Sequence, residues 1–393
     1  MARSELQFSK EDLHHWRVIE VFRAALLKAV RKKELHPGFQ HPERRLKYAD
    51  YLALFLFGLF NPALRTVRAL CAASHWQRVQ EEVCRRAVSL GSFSEAQHLV
   101  DPAHLERVFK ELCQQLPASA SGAPALSWEQ WFARDSSVFA ALPRMAWALY
   151  GGGHTGAPNR AVRLHLNFNV LKDQPALADV TIGRVCERKS WEDQWERGAG
   201  YVGDRYFSKN YKLLGRLSEK GCAYVLRLAE EATITVLQPL EVSLADRKEG
   251  VVRQAWCRLG KGQFESVRVR VVWIEGRQSA LMLVTNLTPQ ALPAAMVSML
   301  YRRRWQIECF FKWIKCLLKC RHWLAESQQG VTLQLYLALI AAVLLQLCLG
   351  RRPNKRMFEL IQLYQMGYAT TQEVIAGLKR EQARELGRKN NSR

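Results

Sequence analysis

The chain has 393 residues, 48% of them hydrophobic and 24% charged, and it carries 58 lysines and arginines against 36 acids, a net charge of +22. That composition excludes wholesale disorder. The surplus makes an acidic macromolecular partner unexpected and points to a polyanion, either nucleic acid or an anionic membrane surface. At roughly 150 residues per domain, two or three domains are expected.

The surplus is unevenly placed: residues 301–393 hold 17 basic and 6 acidic side chains, half of the total excess. The ten cysteines are scattered without a CxxC pair. Cys316 and Cys320 share a helix face, but no His or Cys follows at zinc-finger spacing, so free thiols in a reducing cytoplasm are expected rather than zinc or disulfides. The first residues, MARSELQFSKEDLHHW, lack the apolar core of a signal peptide.

In chain order, residues 1–125 read as helical, with apolar residues at helical spacing in Trp16–Val30, Tyr51–Phe60, Arg65–Arg86 and Ala103–Leu116. Asp101 followed by Pro102 is a helix start. Asn61–Arg86 has helix-turn-helix character, with Arg65, Arg68, Arg78, Arg85 and Arg86 available; plain helical packing is the other reading. Pro117–Pro124 reads as a linker.

The period then changes to two. Trp131–Ala141 and Arg160–Val170 are predicted strands, the second alternating Val162, Leu164, Leu166 and Phe168 with Arg163, His165 and Asn167. A short strand at Tyr201–Gly203, a helix over Ser208–Lys220 capped by Gly221, and a strand at Ala223–Leu228 make a mixed α/β core. Residues 230–276 read as a block of antiparallel strands, after which Ala280–Leu287 resumes the core. Trp256 and Trp273 in that block read as packed sheet aromatics.

From Gln290 onward the chain reads as helical. Leu333–Gly350 runs 18 residues without a charge before Arg351 and Arg352. That is near the lower limit for a membrane span, but Gln334 and Gln346 interrupt it, and a buried core helix is expected. Gly151–Gly156 (GGGHTG) superficially resembles a phosphate loop. No Lys-Ser/Thr follows, so it reads as a mobile loop without ATP.

The segment 301–323, YRRRWQIECFFKWIKCLLKCRHW, is the most informative. On a helix at about 100° per residue, Tyr301, Arg304, Glu308, Lys312, Lys315, Lys319 and His322 fall within an arc of about 80°. The opposite side is apolar. Two readings stay open on periodicity alone. One is a solvated face with Glu308 paired to Arg304 and Lys312. The other is a metal-binding carboxylate among phosphate-binding cations. Further carboxylates at strand ends would be needed for the second, and Asp135 (in the first core strand) and Asp204 (after the short strand) are candidates.

Here the sequence resembles a family. Tyr301, Arg304, Glu308 and Lys315 match the Y-(2)-R-(3)-E-(6)-K signature of IS4-family DDE transposases. DSSVFAALP around Asp135, GDRYFSKNYKLLGRL around Asp204, and LMLVTNL before the glutamate helix resemble the accompanying motifs, over about residues 75–350. The resemblance implies an RNase H-like catalytic core with a β-rich insertion, plus a helical N-terminal domain and a helical C-terminal region. The implied boundaries are 1–125 for DNA binding, 126–229 and 277–350 for the core, 230–276 for the insertion and 351–393 for a basic helical end.

It implies Asp135, Asp204 and Glu308 as the catalytic and metal-binding triad for two Mg²⁺ (or Mn²⁺) ions. It further implies Tyr301, Arg304, Lys312 and Lys315 as DNA contacts. The implied partners are double-stranded DNA, at transposon ends and target, and a second copy of the chain; the implied setting is the bacterial cytoplasm. Two places depart from the family pattern: the glycine of the usual Asp-Arg-Gly-Tyr-Phe is missing from Asp204-Arg205-Tyr206-Phe207, and Ser136 replaces the glycine after the first aspartate. The rival reading is a non-catalytic DNA-binding protein, and a membrane-surface protein is a third.

Overall fold

The computed structural model describes residues 17–116, 130–152, 158–185, 191–192, 194–262, 268–276, 279–318 and 322–391. The expected linker at Pro117–Pro124, residues 153–156 of the glycine loop, Lys319, and the two ends of the chain (1–16 and 392–393) lie outside the described residues.

The chain is mixed α/β with a large central sheet. Its strands are β1 (Trp131–Ala140), β2 (Leu149–Gly152), β3 (Pro158–Asn169), β4 (Gln174–Ile182), β5 (Gly200–Gly203), β6 (Ala223–Arg227), β7 (Ile234–Leu240), β8 (Val251–Leu259), β9 (Val269–Ile274) and β10 (Leu281–Thr285). They are ordered β2-β3-β1-β5-β6-β10-β9-β8-β7, with β4 also paired to β3. β1, β5 and β6 are parallel neighbours. From β6 outward the pairing is antiparallel through β10, β9, β8 and β7. The strand block expected over 230–276 therefore extends the central sheet by way of β10.

β2 and β4 are not anticipated by the alternation, and β4 contains Pro175 and Asp179, residues that weaken a strand signal. Gly200 is required by a close approach: a Cβ there would lie 2.5 Å from the Trp131 ring directly across the ladder.

Contacts divide the chain into two compact units, one formed by residues 1–118, 138–162 and 311–393, the other by 119–137 and 163–310. In the first, α1 (Arg17–Ala29), α2 (Tyr48–Phe60) and α3 (Pro102–Gln115) pack with a long helix at Gln328–Leu349. Asp101 caps α3 through a bond from the Ala103 amide at 2.9 Å. α2 is apolar nearly all round because nearly all of it is buried. Its one acid, Asp50, accepts from Arg23 at 2.6 Å. The charge-free segment is a core helix: 83% of its most apolar window is buried.

The stretch expected to have helix-turn-helix character holds two short helical segments, the second of them irregular. After Val67–Ala73, a single turn at Gln77–Val79 passes into a π turn at Gln80–Cys84, ended by Arg85 at φ 55°. Apolar spacing cannot separate a regular recognition helix from an α turn that widens to π, because both bury Val79, Val83 and Cys84.

In the second unit, α4 (Tyr211–Glu219) follows a separate turn at Arg205–Ser208. The predicted helix over Ser208–Lys220 starts later because Asn210 caps it, accepting from the Lys212 amide at 3.1 Å. Gly221, at φ 73°, ends it as expected. Trp191, Tyr201, Phe207, Leu214, Leu217 and Tyr224 belong to one buried cluster with β8 and β9 side chains. α5 (Leu244–Lys248) links β7 to β8. α6 (Ala294–Arg303) packs on β5, β6, β8 and β9.

Candidate active site

β1 and β5 run parallel with Trp131, Phe132 and Ala133 opposite Gly200, Tyr201 and Val202. Carried two residues further, the same register brings Asp135 level with Asp204, and period two puts each acid on the face of the residue two before it. Asp204 therefore lies just past the carboxyl end of β5, where open α/β sheets place their ligands, and Asp135 lies level with it in the middle of the longer β1. Asp204 is extended and caps the turn at Arg205–Ser208, its Oδ1 accepting from the Tyr206 amide at 2.8 Å. Tyr206 thus supplies its backbone N–H to the acid.

Glu308 comes from the opposite end of the sequence. The segment expected as one helix is two: α6 ends at Arg303, and α7 (Trp305–Leu318) begins after Arg304. Arg304 keeps helical angles and donates its amide to the Leu300 and Tyr301 carbonyls, so Tyr301, Arg304 and Glu308 stay one turn apart. His322 lies past the end of α7, not on its face. Arg304 Nη2 donates to Glu308 Oε1 at 2.7 Å, and its guanidinium lies 5.7 Å from the Tyr301 ring centre.

The electrostatics tie these groups together. Burial pushes the Asp135 carboxyl up to about 6; a bond from the Ser136 amide and the charge of Arg304 pull it down, while Asp204 and Glu308 push it further up. Burial would lower the Arg304 guanidinium, but Tyr301, Glu308 and Asp135 outweigh it and hold it above its ordinary value. The structure thus brings Arg304, Asp204 and Glu308 within electrostatic reach of Asp135, with Tyr301 in reach of Arg304, all inside one compact unit. Lys312 and Lys315 are exposed and fall in the other unit, where Lys315 Nζ lies 5.5 Å from the Phe139 ring centre.

The back of β1 is a different environment. Arg134, 1% exposed, donates through Nη1 to Asn167 Oδ1 at 3.1 Å and Gln194 Oε1 at 2.7 Å. His165 is fully buried and meets Thr181 Oγ1 at 2.9 Å through Nε2. Burial, with Arg134 and Arg163 nearby, lowers its imidazole to about 3. The polar side of β3, which alternation alone would send to solvent, is thus covered. The repeated polar residues at Arg163, His165 and Asn167 were a signal, but period two reports that a strand has two faces, not what covers them. Trp256 and Trp273 are half-buried sheet residues as expected, under Arg268 at 4.6 Å and Arg253 at 4.8 Å respectively.

Residues 131–344 match the family described as Transposase DDE domain. The chain is 28% identical over 205 residues to a Sinorhizobium fredii protein with the transposase name y4zB, covering 51% of this chain and 56% of that one. It is 27% identical over 214 residues to the "Probable transposase for insertion sequence element IS5377" of Geobacillus stearothermophilus, covering 54% of each. A Synechocystis protein with a transposase name for the element IS4SA is 34% identical over 271 residues, 66% of this chain and 72% of that one. Among solved structures, the piggyBac transposase in its synaptic complex with hairpin DNA aligns over 95% of this chain and 82% of that one, at 10% identity and a TM-score of 0.44. The chain belongs to the DDE transposase family, and within it to the IS4 type. It spans little more than half the length of the y4zB and IS5377 proteins.

Membership implies dependence on a divalent metal. The acids here fit such an ion in kind. Carboxylate oxygens are the donors that hard cations take, and an ion beside Asp135 would relieve the charge crowding that raises its pKa. Among the described residues, no three His, Cys, Asp or Glu side chains close on one point, and Glu308 is engaged by Arg304 instead.

Proposed function

We propose that the chain is an insertion-sequence transposase that cleaves DNA at the ends of its element and joins them to target DNA. Asp135, Asp204 and Glu308 are its catalytic triad. The observation that supports this best is the β1–β5 register, whose continuation puts Asp135, in mid-β1, abreast of Asp204, just past the end of β5, with Glu308 close enough to bear on Asp135. On this reading the core is RNase H-like, with β7–β9 as its insertion, and residues 1–125 recognise the terminal inverted repeats.

The three acids would hold Mg²⁺ or Mn²⁺, two ions being the family expectation, and the ions supply Lewis-acid charge at the scissile phosphate. Asp135 within β1 and Asp204 at the end of β5 each have one carboxylate oxygen fixed by a backbone amide. Arg304 neutralises Glu308 until the acid is needed, and is then available, with Tyr301, to a DNA phosphate. Lys312 and Lys315 would hold phosphates further along the backbone. Two copies of the chain would act together, because two element ends must be joined.

The test is cleavage of a duplex carrying the inverted repeat that flanks the coding sequence, with Mg²⁺ and with EDTA. Wild type should cleave only with metal, and Glu308→Gln should bind the duplex but not cut it. Equal cleavage by the two would refute the triad; binding without any cleavage by wild type would favour the non-catalytic reading.

A further inference from the structure

Ser136 departs from the family's glycine, and the triad by itself gives it no role. Its surroundings give it one. The Ser136 amide donates to Asp135 Oδ1 at 2.8 Å, so the position of the Ser136 backbone sets the orientation of the Asp135 carboxylate. Its hydroxyl, on the other face of β1, accepts from Arg163 Nη1 at 3.0 Å. Arg163 is itself anchored, its Nε donating to the Gly183 carbonyl at 3.1 Å. Three bonds in series thus run from a backbone carbonyl just past β4, through an arginine on β3, to the carboxylate on β1. All lie within one compact unit. A glycine could supply the amide but not the hydroxyl that ties it back, and it would leave the backbone freer to turn.

We infer that Arg163 and Ser136 are positioning residues: together they hold the Asp135 carboxylate in the orientation that binds metal. The inference rests on the metal-binding role proposed for Asp135. Groups that orient a metal ligand through one hydrogen bond typically change affinity about 10–100-fold when removed. Because the two act in series, removing either breaks the same relay, and their effects do not add.

The experiment is a Mn²⁺ titration of the full chain, without DNA, read by the electron paramagnetic resonance of the free ion. Wild type is compared with Ser136→Ala, Arg163→Met, the double variant, Arg163→Lys and Asp135→Asn. Arg134→Met serves as a control: it loses two bonds on the same face, to Asn167 and Gln194, but lies outside the relay.

Ser136→Ala and Arg163→Met should each raise the half-saturating Mn²⁺ about tenfold, the double variant no more than either, and Arg163→Lys less. Arg134→Met should lower the melting temperature and leave half-saturation in place. The inference is overturned if Ser136→Ala and Arg163→Met leave half-saturation unmoved, or if Arg134→Met moves it equally, which would mark general loosening of β1. If Asp135→Asn itself binds Mn²⁺ like wild type, the proposed role of Asp135 fails, a result distinct from failure of the relay alone.

Discussion

The two faces of β1 at Asp135 differ in how their polar groups are satisfied. On one face, Asp135 and Glu308 share the Arg304 guanidinium, and burial, with the charges of Asp204 and Glu308, raises Asp135 to about 6. On the other, Arg134, Ser136, Arg163, His165, Asn167 and Thr181 are tied to one another and to Gln194 and Gly183 by hydrogen bonds. The first face carries an electrostatic cost that a cation would remove; the second holds the strand in place while it does so. Neutralising a carboxylate on the first should therefore abolish chemistry and strengthen the fold, whereas cutting bonds on the second should weaken the fold.

The largest expected effect is on turnover. Asp135→Asn, Asp204→Asn and Glu308→Gln should each lower Mg²⁺-dependent cleavage by about 10³-fold or more, on the scale of losing a principal electrostatic stabiliser. Binding of the same duplex in EDTA should stay within a few-fold of wild type. Loss of binding in parallel with cleavage would mean that these acids hold the fold rather than the metal.

The next effect separates the two faces by stability. Arg134→Met removes the donor to the buried Asn167 and one of the two donors to the part-buried Gln194, and should destabilise by about 2–4 kcal/mol in urea unfolding. Asp135→Asn, in EDTA at pH 8, should instead stabilise by about 1–3 kcal/mol, since it removes a carboxylate held against its own charge. Melting shifts of the same sign for both would erase the distinction.

The last effect concerns pH. His165 is neutral in the fold, its imidazole lowered from 6.5 to about 3. The unfolded chain takes up a proton there first, so the contribution is full above pH 6.5 and is lost as pH falls toward 3. His165→Asn should flatten the stability profile across that window by on the order of 3 kcal/mol. A profile as steep as wild type would assign the acid sensitivity elsewhere.

These contrasts also mark what the sequence could reveal. Asp135, Asp204 and Glu308 were legible because each stands in a motif of fixed local spacing. The alternating strand at Arg160–Val170 and the antiparallel strands of the 230–276 block followed from patterning, whereas the joining of that block to the central sheet through β10 did not. Arg163 and Ser136 were not legible as partners: they are 27 residues apart, and only the β1–β3 pairing brings them together. The break at Arg304 was hidden as well, because its backbone stays helical and the apolar period runs through it. The π turn at Gln80–Cys84 escaped for a similar reason, since it buries the residues a regular helix would.

The central claim is that Asp135, Asp204 and Glu308 act as one metal-holding set. It is tested most directly by titrating Mn²⁺ into wild type and the three single neutral variants in the presence of duplex carrying the element's end, with bound metal counted by paramagnetic resonance. The account predicts that each substitution weakens or removes metal at the same site, while all four proteins hold the duplex. Unchanged metal binding in any one of the three would contradict it.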